Sequence, residues 1–117
     1  MKNSQLWLAG AGLTILQILI GNVMLFYGIL PSLLGLHIVL AIAILIIAIY
    51  GYLKSKLGIE RRILMGNVGL IIVISVLGYL YTFDSNAIIL IFHFILALGI
   101  LSNFSVLYGF DRGQNYK

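Results

Sequence analysis

Ser32-Leu-Leu-Gly-Leu-His37-Ile-Val-Leu-Ala41-Ile-Ala-Ile-Leu-Ile-Ile-Ala-Ile-Tyr50-Gly-Tyr-Leu53 runs from end to end without a charged residue. A helix of this length covers about 30 Å of hydrocarbon, which takes roughly 20 residues. Backbone groups must be satisfied internally in lipid, so the stretch reads as a membrane-spanning helix. Three more blocks of the same kind surround it, at Leu6–Leu30, Ile63–Phe83 and Asn86–Phe110. The whole chain has 117 residues, 62% hydrophobic and only 9% charged. A soluble domain carries about a quarter charged residues, so the composition predicts an integral membrane protein built as one transmembrane domain over residues 1–117.

The charges predict orientation. Lys2 precedes the first block, Lys54, Lys56, Arg61 and Arg62 lie between the second and third, and Arg112 and Lys117 follow the fourth. All seven basic residues thus fall on one side, and the opposite loops carry only Asp84. The positive-inside rule makes that side cytoplasmic, with both termini there. Aromatic residues sit where interfacial belts belong, with Trp7, Tyr50, Tyr52, Tyr108 and Phe110 inside and Tyr27, Tyr79, Tyr81 and Phe83 outside. The net charge of +4 is a topology signal and predicts no nucleic-acid partner. Met1-Lys2 and the apolar run after it resemble a signal peptide, but the run is long and lacks a small-residue cleavage site, so it is expected to be retained.

Short outer turns around Pro31 and Asp84 predict antiparallel neighbours and an up-down-up-down four-helix bundle, an all-α membrane fold. Pro31 suits the first turn of helix two, and Asp84, Ser85 and Asn86 offer N-cap chemistry ahead of helix four. No Asp or Glu is expected inside a helix, and the tail from Gly113 is expected to be mobile. With no cysteine, disulfides, thiolate metal sites, covalent c-type haem and iron–sulfur clusters are excluded.

The only two histidines carry the functional signal. Leu34-Gly-Leu-His37-Ile-Val-Leu40-Ala41 and Leu90-Ile-Phe-His93-Phe-Ile-Leu96-Ala97 share Leu, His, Leu and Ala in register. The bundle is therefore expected to consist of two helix-pair repeats. His37 stands six residues after Pro31, and His93 seven after Asn86. At about 1.5 Å per residue, both lie about 9–11 Å from the outer face. Ionisable groups at such depth are costly and normally have a task. Two imidazoles at one depth on diagonal helices predict a shared haem iron, with His37 and His93 as metal ligands. Ala41 and Ala97 lie one turn on from the histidines, on the same helical face, and leave room for a porphyrin; Gly21 and Gly78 are candidates to admit its edges. Small residues also serve plain helix packing. A quinone, copper or a proton relay are other ligands such a pair could serve, and interhelical hydrogen bonding is the structural alternative. Gln17 and Asn22 approach the outer half of the core, where their ordinary role is interhelical hydrogen bonding.

Four helices with a histidine near the outer end of the second and fourth resemble half of the haem A synthase family. The segments that carry the resemblance are Leu16-Gln17-Ile-Leu-Ile-Gly21, Leu36-His37, Val76-Leu77-Gly78 and Phe92-His93. The resemblance spans nearly the whole chain and implies a haem b protein of haem maturation or respiratory electron transfer. In the family's catalytic half an acidic residue precedes the helix-two histidine and the first outer loop is long. Here Leu34 stands three residues before His37 and the loop is a turn at Pro31. The chain therefore resembles the cofactor half, and the resemblance assigns no catalytic residue. Two imidazoles on one iron fill both axial positions, which suits electron transfer. Expected partners are membrane lipid and either a second copy or a subunit of a respiratory complex. The competing class is a non-redox accessory subunit of a larger membrane complex. A transporter is disfavoured by the missing intramembrane carboxylate.

Overall fold

The computed structural model describes residues 2–115, which form four helices: α1 (Asn3–Tyr27), α2 (Pro31–Lys54), α3 (Gly58–Phe83) and α4 (Ala87–Asn115). All four are long and apolar enough to cross a membrane. Three helix boundaries have a clear local reason. α1 ends at Gly28, whose φ of 95° only glycine adopts without strain and whose N–H donates to the Met24 carbonyl over 2.8 Å. Pro31 opens α2, where its missing N–H costs nothing. Asn86 stands just before α4, and its Oδ1 accepts the Ile88 N–H at 2.9 Å, a capping bond.

α1 packs against α2 and α4, and α3 packs against the same two helices. Among the described residues the diagonal pairs do not meet at the backbone. Trp7, in the second turn of α1, touches Gly51 near the end of α2 and donates to Asp111 near the end of α4. The basic residues Lys2, Lys54, Lys56, Arg61, Arg62 and Arg112 therefore gather at one end of the bundle, and the histidines lie toward the other.

The interior repeats in a regular way. Trp7, Gly10 and Thr14 of α1 are buried, and Leu64, Asn67 and Ile71 of α3 are buried with the same spacing along the helix. Ile44, Ala48 and Gly51 of α2 are matched in the same manner by buried Ile100, Phe104 and Leu107 of α4. Large side chains from one helix fill gaps on another. The Trp7 indole lies on Gly51, and Phe104 covers Gly10 so closely that a Cβ there would sit 2.7 Å from the ring. Most of the outer surface is apolar, with Phe26 80% and Leu53 74% exposed. Contiguous apolar surface of this extent is stable only when lipid or protein covers it.

Three expectations need correction. Trp7 is not an interfacial anchor: it is fully buried, because Gly51 leaves a place for the indole inside the bundle. Helices three and four do not stop where the apolar blocks stop. α3 begins at Gly58 and α4 runs to Asn115, because Arg61, Arg62, Arg112 and Gln114 are compatible with helix where charged turns can meet water, and Glu60 is itself a good helix former. Glu60 and Asp111 consequently lie within helices, and Glu60 is buried at 2% exposure. The segment from Gly113 to Asn115 is helical rather than a loose tail, and Tyr116 and Lys117 lie outside the described residues.

Candidate cofactor site

His37, in the second turn of α2, and His93, in the second turn of α4, meet across the bundle diagonal. Their ring centroids are 6.3 Å apart and their planes are inclined by 31°. Both side chains are half-buried. Two imidazoles bound through nitrogen to one metal, at roughly 2 Å per bond, hold their centroids about 6 Å apart. The spacing suits one ion between two ring nitrogens.

The ring of His93 is oriented from α3. Its Nδ1 lies 3.0 Å from the carbonyl of Ile74. A carbonyl can only accept, so Nδ1 carries the proton and the lone pair of the neutral ring is on Nε2. Metal-binding histidines are commonly held this way, with the second nitrogen donating to a fixed acceptor. On α1, Gln17 Nε2 donates to the main-chain carbonyl of His37 at 2.6 Å. The Gln17 Oε1 and the His37 Nδ1 are both buried without a partner.

Gly21 and Gly78 face the imidazoles directly. A Cβ on Gly21 would lie 3.5 Å from His37 Cε1, and one on Gly78 would lie 3.1 Å from His93 Cε1. Each glycine thus gives its histidine ring a seat on the neighbouring helix. Ala41 and Ala97 stand one turn deeper on α2 and α4, half-buried and buried respectively, so no bulky side chain rises beneath either imidazole. Asn22, in contrast, is exposed on the outer surface of α1 and takes no part in this cluster. Of the site residues, Ile74 is the one sequence reasoning missed. It contributes a main-chain carbonyl, which leaves no residue-type signal; the one available clue is its place on α3, one turn before Gly78 as Gln17 is one turn before Gly21 on α1.

The surroundings limit the chemistry. Among the described residues no three His, Asp or Glu side chains converge to hold a metal ion, so an ion here needs ligands beyond the two histidines. Among the described residues the cations gather at the opposite end, where an open cleft of about 730 Å³ is lined by Lys2, Lys54, Lys56, Glu60 and Asp111. That cleft lies away from the histidines. Tyrosines at the histidine end are Tyr27 and Tyr79, 79% and 65% exposed, and the half-buried Tyr81, with Asp84 the acidic residue of the same end. Compared with known proteins, the chain matches no family model, no curated protein and no solved structure.

Proposed function

We propose that this chain is a haem b-binding membrane protein of the haem A synthase type, resembling the cofactor half of that family and serving haem maturation or electron transfer. In this reading the four helices cross the membrane up-down-up-down as two helix-pair repeats, with both termini cytoplasmic. The matched burial of α1 with α3 and of α2 with α4 supports the repeat. The gathering of basic residues at one end supports the orientation.

The observation that carries the cofactor reading is the 6.3 Å separation of two imidazoles on diagonal helices. His37 and His93 would hold the haem iron. The Ile74 carbonyl holds the His93 ring with Nε2 free for ligation. Gly21 and Gly78 let both rings sit close against α1 and α3, and the apolar residues around them keep water out. Bound haem would supply one-electron transfer at its iron. Its carboxylates would meet Tyr27, Tyr79, Tyr81 and the first-turn amides of α2, because no Lys or Arg among the described residues lies at that end.

A second reading, a non-redox accessory subunit, draws on the same His93–Ile74 hydrogen bond, which also serves as a plain interhelical tie. A dithionite-reduced minus oxidised spectrum of the detergent-purified protein separates the two. Bis-histidine haem gives a sharp α-band that is lost in both His37→Ala and His93→Ala. A protein that stays colourless after haemin titration belongs to the accessory class.

A further inference from the structure

The two histidines are seated alike but fixed differently. On α3, Ile74 stands one turn before Gly78; the glycine seats the His93 ring and the Ile74 carbonyl takes its Nδ1 proton. On α1, Gln17 stands one turn before Gly21, and Gly21 seats the His37 ring against Cε1. Cε1 is bonded to both ring nitrogens, so the nitrogens of His37 lie close to α1. Yet His37 Nδ1 has no partner, and neither has Gln17 Oε1, although these residues are already joined by the bond from Gln17 Nε2 to the His37 carbonyl. Exchanging the amide's nitrogen and oxygen does not resolve this, since it would set two carbonyl oxygens against each other. An unpaired buried polar atom costs about 1–3 kcal/mol, and here one hydrogen bond would satisfy two of them.

We propose that Gln17 is the positioning residue of His37: its Oε1 accepts the Nδ1 proton and so presents Nε2 as the ligating nitrogen. The proposal rests on the haem reading for its purpose, but not for its geometry. It makes the two ligands unequal. His93 is fixed by a main-chain carbonyl that substitution leaves in place, whereas His37 is fixed by a side chain and can be tuned. A stronger acceptor at Nδ1 gives the ring more imidazolate character, favours ferric iron and lowers the reduction potential.

The test is nitrogen NMR of the protein without haem, labelled with ¹⁵N-histidine in detergent. In the unsubstituted chain both rings are expected as the Nδ1-protonated tautomer. In Gln17→Leu the ratio of the Nδ1-protonated to the Nε2-protonated tautomer of His37 is expected to fall roughly tenfold, the shift an ordinary hydrogen bond commands, while His93 is unchanged. Gln17→Glu keeps an acceptor and is expected to retain the tautomer; it serves as the folded control if the leucine variant does not fold. An unchanged His37 tautomer in Gln17→Leu would mean that a main-chain carbonyl is the acceptor, and overturns the proposal. So would an Nε2-protonated His37 in the unsubstituted chain. In haem-loaded protein the potential is expected to rise in Gln17→Leu and to fall in Gln17→Glu. A protein that shows the tautomer response but takes up no haem refutes the cofactor reading and leaves the hydrogen bond standing.

Discussion

The basic half of the bundle is packed like a soluble core, and the histidine half is not. Trp7, Leu64, Asn67, Phe104 and Leu107 are all fully buried toward the basic end, where one apolar cluster draws on all four helices. Toward the histidines the buried apolar cluster shrinks to Ile20, Met24 and Leu40, from α1 and α2 alone. The polar groups do not divide in this way. In the basic half, Asn103 Nδ2 donates to Asn67 Oδ1 at 2.7 Å and Trp7 donates to Asp111. In the histidine half, Gln17 Oε1 and His37 Nδ1 are buried without a partner, as are Ser55 Oγ, Glu60 Oε1 and Asn67 Nδ2 in the basic half. The contrast between the halves therefore lies in apolar packing, which draws on four helices at the basic end and on two near the histidines.

Substitutions should separate the halves by the size of their effects. Trp7→Ala empties the place on Gly51 and should cost about 3–5 kcal/mol, the range for loss of a buried aromatic. Thermal unfolding in detergent should show it as the largest drop in Tm. His37→Ala should move Tm far less, and similar losses at the two positions would break the contrast between the halves. Next comes Gly10→Ala, whose new methyl meets Phe104 at 2.7 Å; a closely packed core penalises this by about 1–3 kcal/mol. The smallest effects belong to the glycines beneath the histidines. Gly78→Ala places a Cβ 3.1 Å from His93 Cε1 and should displace the ring, weakening haem uptake with a change in Tm near zero. Gly21→Ala meets His37 at an ordinary 3.5 Å and should be nearly silent in both measurements. A haemin titration of the two variants side by side would sharpen the comparison, and equal affinities would argue that neither ring is held by its glycine.

Much of this is legible from residue types. Four helices follow from four apolar blocks, because lipid permits little else. The meeting of His37 and His93 follows from near-equal distances to Pro31 and Asn86 on diagonal helices. Trp7 misleads because tryptophan at a helix end ordinarily marks an interface. What buries it is Gly51, a residue of the next helix, and such a pairing is a property of two helices together. Glu60 and Asp111 mislead for a related reason: hydropathy marks where the membrane stops, not where the helix stops. The Ile74 carbonyl is invisible in the sequence because every residue offers the same atom. Gln17 is visible as a polar residue in an apolar block, but its aim at His37 depends on the packing of α1 on α2.

The bond from Trp7 to Asp111 joins residues 104 apart, on the first helix and the last. A chain is made from its N-terminus onward, so the indole waits until all four helices have been synthesised before it finds this acceptor. Until then the groove between α1 and α3 that α4 will fill is open to lipid, with the Gly10 face and Asn67 uncovered. The insertion of α4 thus completes the ring of helices and brings His93 to His37 in the same event.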